Sequence, residues 1–181
     1  LILQAPSSYG AGDECYGRLS AYQWFVFTSK IGVDLFFDGL MARRLDVRQL
    51  ANVKFAVIGD GTAKALEAHG IFNDFMPAHY SSKDMARTWV PGLKPGEKVL
   101  LMRAREASAE LDLALTAAGI YYDAVALYET LDDDRKAEEL IRTLPLVDDV
   151  TFCSASAVRA FCRMAASALD VSALDAPAAN V

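Results

Sequence analysis

Metal chemistry has little to work with in this sequence. Among 181 residues there are three cysteines and two histidines. Cys15, Cys153 and Cys162 are widely separated, and with only His69 and His79 to join them no zinc-binding spacing can be assembled. An odd number of thiols gives no disulfide framework either. Reduced thiols in a cytoplasmic protein are the simplest reading. No apolar run approaches the length that crosses a bilayer, and no signal peptide is visible. Positive charge is also short: 18 Lys and Arg stand against 24 Asp and Glu, a net charge of −6. That balance argues against a general nucleic-acid or membrane-surface binder. It leaves an acidic ligand open, because backbone amides hold carboxylates without any net positive charge.

What is present suits a globular chain. Hydrophobic residues make up 53% and charged residues 23%, and the length fits one large domain or two small ones. The segment Lys54–Gly70 (KFAVIGDGTAKALEAHG) organises the reading. Phe55–Ile58 is an apolar run that reads as a buried strand. Gly59–Thr62 is a tight turn, and Ala63–His69 is rich in helix formers, with Gly70 suited to a helix end. A strand, a glycine turn and a helix gather backbone N–H groups at the helix start, where anions bind. Gly59-Asp60-Gly61 approaches a dinucleotide fingerprint, but Lys64 stands where the third glycine belongs, and no Walker pattern follows. NAD and ATP are therefore poor candidates, and Thr62 reads equally as a plain helix cap.

The same alternation runs along the chain. Strands are expected at Leu1–Ala5, Trp24–Phe27, Phe55–Ile58, Lys98–Arg103, Tyr122–Thr130 and Val150–Cys153. Helices are expected near Asp13–Ala21, at Lys30–Leu45 with Ser29 as N-cap, from Ser81 to Val90, at Glu110–Ala118, at Arg135–Leu144, and from Ser154 to about Ala166. The tail Ser167–Val181 is expected to be weakly ordered. Alternating strands and helices imply a parallel sheet covered on both faces, with its ligand site beyond the carboxyl ends of the strands. Those ends carry Thr28-Ser29, Gly59–Thr62, Arg103–Glu106 and Ser154. Phe25–Phe36 (FVFTSKIGVDLF) also echoes Val150–Phe161 (VTFCSASAVRAF), about 125 positions later. One βα unit used twice at that distance suits two similar α/β domains rather than a solenoid.

Five segments, in this order and spacing, carry a resemblance: Trp24–Gly32 (WFVFTSKIG), Ala56–Ala63 (AVIGDGTA), Val99–Arg103 (VLLMR), Leu127–Thr130 (LYET) and Val150–Val158 (VTFCSASAV). Together the sequence resembles the uroporphyrinogen-III synthase family over nearly its whole length. The resemblance implies two similar parallel-sheet α/β domains joined by a two-stranded β-ladder. Residues 1–5 and 126–131 would form the ladder, 6–125 the second domain, and 132–181 part of an incomplete first domain. The family's opening strand and helix and its last βα units have no counterpart here, and residues removed at both ends are the expected reason.

The implied activity is cyclisation of hydroxymethylbilane, a linear tetrapyrrole rich in carboxylates. Water is lost and the last pyrrole is inverted through a spiro intermediate, giving uroporphyrinogen III. No cofactor and no metal are implied. Tyr128 matches the family's cleft tyrosine and would donate a proton to the departing hydroxyl. A phenol, with an ordinary pKa of about 10, is a weak acid for that task. Substrate contacts would come from Thr28, Ser29, Lys30, Gly59, Gly61, Thr62, Arg103, Ser154 and Ser156, with Arg105 a further source of charge. A cytoplasmic monomer is expected, without nucleic-acid or membrane partners. Fusion to, or handoff with, a tetrapyrrole methyltransferase or hydroxymethylbilane synthase is the implied association. His69 reads as structural, and His79 can face the cleft from its loop. Two other classes compete with the enzyme. One is a catalytically silent synthase-like module that binds a small anion and regulates a partner. The other is a periplasmic-type two-lobed binding protein.

Overall fold

The computed structural model describes residues 2–4, 14–131, 137–152 and 155–174. Five strands form one sheet in the order β1-β5-β4-β2-β3. They are β1 (Ile2–Gln4), β2 (Trp24–Phe27), β3 (Lys54–Val57), β4 (Lys98–Ala104) and β5 (Tyr121–Leu131). The helices are α1 (Lys30–Ala42), α2 (Asp60–Ala68), α3 (Ser82–Thr88), α4 (Glu110–Ala117), α5 (Ala137–Thr143) and α6 (Ala155–Leu174). The architecture is mixed α/β with a parallel sheet: β2 pairs in parallel with both β3 and β4, and β4 with β5. The chain divides into two units, Gln4–Glu129 and Leu1–Leu3 with Thr130–Val181.

In the larger unit, alternation along the strands builds two separate cores. Phe25 and Phe27 of β2 join Phe55, Val57, Leu100 and Met102 beneath Val33, Phe36 and Leu40 of α1 and Leu66 of α2. Trp24 and Val26 point the other way, into a cluster with Ala56, Val99, Leu101, Met85, Trp89, Leu111 and Leu115. Every residue of β2 is therefore buried, as a strand covered on both faces requires. The helices start and stop where local chemistry dictates. Ser29 caps α1 by accepting from the Gly32 N–H, and Ser81 caps α3 by accepting from the Asp84 N–H. Gly119 ends α4 with φ +67°, a conformation that costs glycine little.

Three expectations need correction. Thr62 is not a cap: α2 begins at Asp60 with Gly59 as its N-cap, and Thr62 is buried within the first turn. No strand forms over Val150–Phe152, where Val150 and Phe152 are exposed, and Cys153 lies outside the described residues. A strand needs a neighbour to satisfy its backbone, and none lies beside this segment among the described residues. Phe152 packs edge-on against Phe161 of α6 instead, at 5.2 Å. The echo of the β2–α1 unit thus survives only in its helix. That helix runs to Leu174, eight residues past the expected end, and so takes up half of the supposed tail. The stretch 167–174 (SALDVSAL) contains no glycine or proline to stop a helix already under way; residues 175–181 lie outside the described residues.

Tyr16 supports α1 from outside. Its hydroxyl donates to the Phe36 carbonyl at 3.1 Å, its ring stacks on Phe36, and the Arg43 guanidinium lies 4.3 Å above it. The ring fits only because position 39 is glycine: an added Cβ would stand 2.1 Å from Oη and 2.6 Å from Cζ. Gly39→Ala should therefore lower the unfolding free energy by about 1–3 kcal/mol in urea melts, as overpacking does. Any gain in helix propensity, about 1 kcal/mol, would be outweighed. A more stable variant would show that Tyr16 moves aside at little cost.

Candidate active site at the carboxyl end of the sheet

The order β5-β4-β2-β3 reverses direction at β2: the chain goes first to β3 on one side, then to β4 on the other. The turns leaving β2 and β4 consequently diverge and leave a crevice, the place where open parallel sheets hold ligands. A cavity of about 350 Å³ lies there, lined by Thr28, Ile58, Tyr80, Ser81, Ser82, Arg103, Ala104, Ala107, Ser108 and Leu111. Its walls are hydroxyls, short apolar side chains and one guanidinium.

Tyr128 reaches this end of the sheet by an irregularity. Arg103 pairs with Ala126, but Ala104 pairs with Tyr128, so β5 carries one extra residue at that point. A bulge of one residue reverses the parity of everything after it. Tyr128 is thereby turned toward the start of α1, where its hydroxyl donates to Ser29 Oγ at 2.9 Å. Ser29 Oγ also accepts from the Gly32 N–H at 3.2 Å. The phenol is 8% exposed. Gly32 leaves the Ser29 hydroxyl its room, since a Cβ there would lie 3.2 Å from Oγ.

The two arginines are committed. Arg103 forks onto Asp112 at 2.5 and 2.8 Å and also donates to the Ser108 carbonyl, closing the turn between β4 and α4. Arg105 pairs with Glu129 at 3.0 Å. Lys30 is exposed at the first position of α1. Gly59 and Gly61 lie in the first turn of α2, Gly61 open to solvent and Gly59 beneath the Tyr80 ring. Thr62 shares the buried side of α2 with Ala63, Ala65 and Leu66. The structure thus gathers Thr28, Ser29, Lys30, Gly59, Gly61, Thr62, Arg103 and Tyr128 at one end of one sheet. Ser154 lies outside the described residues, and only the backbone of Ser156, in α6, is described. His69 stacks flat on Phe37 at 3.9 Å, as a structural residue would, and His79 is exposed, 3.7 Å from Asp84.

Sequence reasoning missed Tyr80, Ser81, Ser82 and Ser108. Tyr80 covers Gly59, whose Cβ would lie 3.3 Å from the ring, and its hydroxyl is hydrogen-bonded to Asp60, which raises its pKa. The serine before a helical run was a readable cap signal, but nothing local places its loop against β2 and β4. Among the described residues no cluster of His, Cys, Asp or Glu is arranged to hold a metal ion, and no helix is long and apolar enough to cross a membrane.

Known proteins share this frame. A family model described as uroporphyrinogen-III synthase HemD matches residues 6–178. The porphyrin biosynthesis protein HemD of Ruminiclostridium josui is 34% identical over 146 residues, covering 80% of this chain and 29% of the relative. Uroporphyrinogen-III synthase of Synechococcus elongatus is 25% identical over 174 residues, covering 94% and 65% respectively. The chain therefore spans less than two thirds of either curated relative. A mutant uroporphyrinogen III synthase of Thermus thermophilus superposes with a TM-score of 0.62 at 20% identity, over 80% of this chain and 56% of its own. The wild-type form gives 0.58 at 21%, over 80% and 55%. At these identities the superpositions speak for the fold.

The wall carrying Tyr80, Ser81 and Ser82 is pinned by Asp84. Its carboxylate accepts from Arg87 at 2.6 Å and from the His79 N–H at 3.1 Å, and these bonds, Arg87 first, hold its pKa below the ordinary 3.8. A depressed carboxylate stabilises the fold above its unfolded pKa and stops doing so as pH falls through the folded one. Asp84→Asn should thus be less stable than wild type at pH 7, and the gap should close below about pH 4. Urea melts of both proteins across that range check it; a pH-independent gap would assign Asp84 a purely steric role.

Proposed function

The chain belongs to the uroporphyrinogen-III synthase family, and from that we propose that its protein cyclises hydroxymethylbilane, with loss of water and inversion of the last pyrrole, to uroporphyrinogen III. The observation that carries the proposal is the convergence of Tyr128 with two helix starts at the sheet's carboxyl end. The enzyme must hold a flexible polyanion in the one fold that leads to inversion, which is catalysis by positioning. An acidic protein can do so because none of the residues lining the crevice is anionic. Carboxylates would meet the N–H groups opening α1 and α2. The hydroxyls of Thr28, Ser81, Ser82 and Ser108 line the crevice beside them. Arg103 and Arg105, already paired, would shape the site more than bind. Lys30 would add charge at the rim, and Thr62 would order the turn from within.

Tyr128 would give its proton to the departing hydroxyl, so that water leaves. The cation formed on the tetrapyrrole would then face a phenolate held in a hydrogen bond. Ring closure releases a proton from the attacked pyrrole carbon, which would restore the phenol. We assign Ser154 and Ser156, as substrate contacts, to the incomplete first of two α/β domains linked by a two-stranded ladder. The placement of β1 next to β5 in the sheet supports that ladder. No cofactor is called on. A monomer at work in the cytoplasm, receiving its substrate from hydroxymethylbilane synthase, completes the proposal.

The test is isomer analysis with the full-length protein. Hydroxymethylbilane is made in situ by its synthase, the products are oxidised, and uroporphyrins I and III are separated by chromatography. Isomer III should predominate, and Tyr128→Phe should lower kcat about 10- to 100-fold, at the low end for a general acid. Isomer I alone, from folded full-length protein, would sink the enzyme and leave a silent anion-binding module.

A further inference from the structure

Ser29 was expected to touch the substrate, yet its oxygen is already engaged from two sides. The Gly32 N–H and the Tyr128 hydroxyl both donate to Oγ, at 3.2 and 2.9 Å. A serine oxygen has two lone pairs, so both of its acceptor positions are filled. Its partner is 99 positions away in sequence and crosses from β5 over the end of β4 to reach it. Capping alone needs only the Gly32 bond. The second bond requires the extra residue in β5 that turns Tyr128 toward α1, so two independent features of the fold converge on one oxygen.

We infer that Ser29 is a positioning residue that fixes the hydroxyl of Tyr128. This rests on the proposed function for its consequence in turnover, but the coupling itself is a property of the folded chain. Helix α1 is anchored by Phe36 in the core and the bulge is anchored by β4, so the Ser29 oxygen is a rigid reference point for the phenol. A phenol without it would sample a wider arc about its ring axis and its strand end. As the phenol gives its proton to the leaving group, the Ser29 O–H, which neither bond uses, turns to donate to the phenolate oxygen. The same pair thus holds Tyr128 Oη before and after transfer. Without Ser29 the ground-state grip on the substrate is unchanged, while the fraction of bound complexes with Tyr128 Oη within reach of the leaving group falls.

The experiment combines kinetics with a readout that needs no turnover. Full-length protein is labelled with 13Cζ-tyrosine, and the Tyr128 signal is identified by its loss in Tyr128→Phe. Ser29→Ala and Gly32→Ala should both shift that signal, whereas Ser29→Thr, which keeps cap and hydroxyl, should leave it near its place. Gly32→Ala matters because it retains the Ser29 hydroxyl and presses on it. In turnover, Ser29→Ala should lower kcat by about the same factor as Tyr128→Phe and change KM less than about twofold. The double variant should be no slower than Tyr128→Phe alone, since residues acting as one unit are not additive. Ser29→Thr should restore at least half of the loss. A raised KM with intact kcat would make Ser29 a substrate contact and overturn the inference. So would losses that multiply in the double variant, or an unmoved Tyr128 signal in both Ser29→Ala and Gly32→Ala. If the wild-type protein makes no isomer III, the proposed activity fails, and the carbon signal still decides the coupling.

Discussion

Strand β2 hydrogen-bonds a parallel neighbour on each side, and the larger unit depends on that double pairing. Its four side chains divide two and two between the faces, so the same strand seeds both cores. Because both neighbours are parallel to it, all three strands end at the same edge of the sheet. Their following turns, Thr28-Ser29, Ile58-Gly59 and the residues after Ala104, are thereby gathered without any contact made for that purpose. The crevice is the space left where α1 must go to one face and the chain before β4 must come from the other.

Polarity in that crevice is supplied by dipoles more than by charge. Arg103 and Arg105 are matched by Asp112 and Glu129, so each brings little net field to the opening. Hydroxyls and helix starts remain, and these orient an anion by geometry. Such groups suit a ligand with several carboxylates that must later be released, because no single ion pair holds it.

Local signals made much of this legible in the sequence. The apolar run Trp24–Phe27, the Ser29 and Ser81 caps and the Gly119 stop all depend on neighbours within a turn, and each appears where the sequence places it. The convergence of Thr28, Gly59 and Arg103 followed from topology alone, whereas Tyr128 was named from the family resemblance. What escaped were features set by distant partners. The Tyr80 ring over Gly59, the fork of Arg103 on Asp112 and the extra residue in β5 leave no periodic trace. The segment Val150–Phe152 shows the converse: an apolar run has strand propensity, but pairing decides. Thr62 illustrates a third case, since a threonine beside a glycine turn suits both the cap and the first turn of the helix.

The strand order also sets how the site comes into being. Trp24 pairs with Lys54, 30 positions on, and Lys98 with Tyr121, 23 positions on. The seam between these two halves joins Trp24 to Val99, 75 positions away. Closing the longer loop costs more chain entropy, and non-local pairings form slowly. Two half-sheets can thus zip early, while the β2–β4 seam is the natural bottleneck of folding. Thr28 and Arg103, and Ser29 and Tyr128, sit on opposite sides of that seam. The site therefore exists only when the β2–β4 seam is closed, and the same seam joins the two halves of both cores.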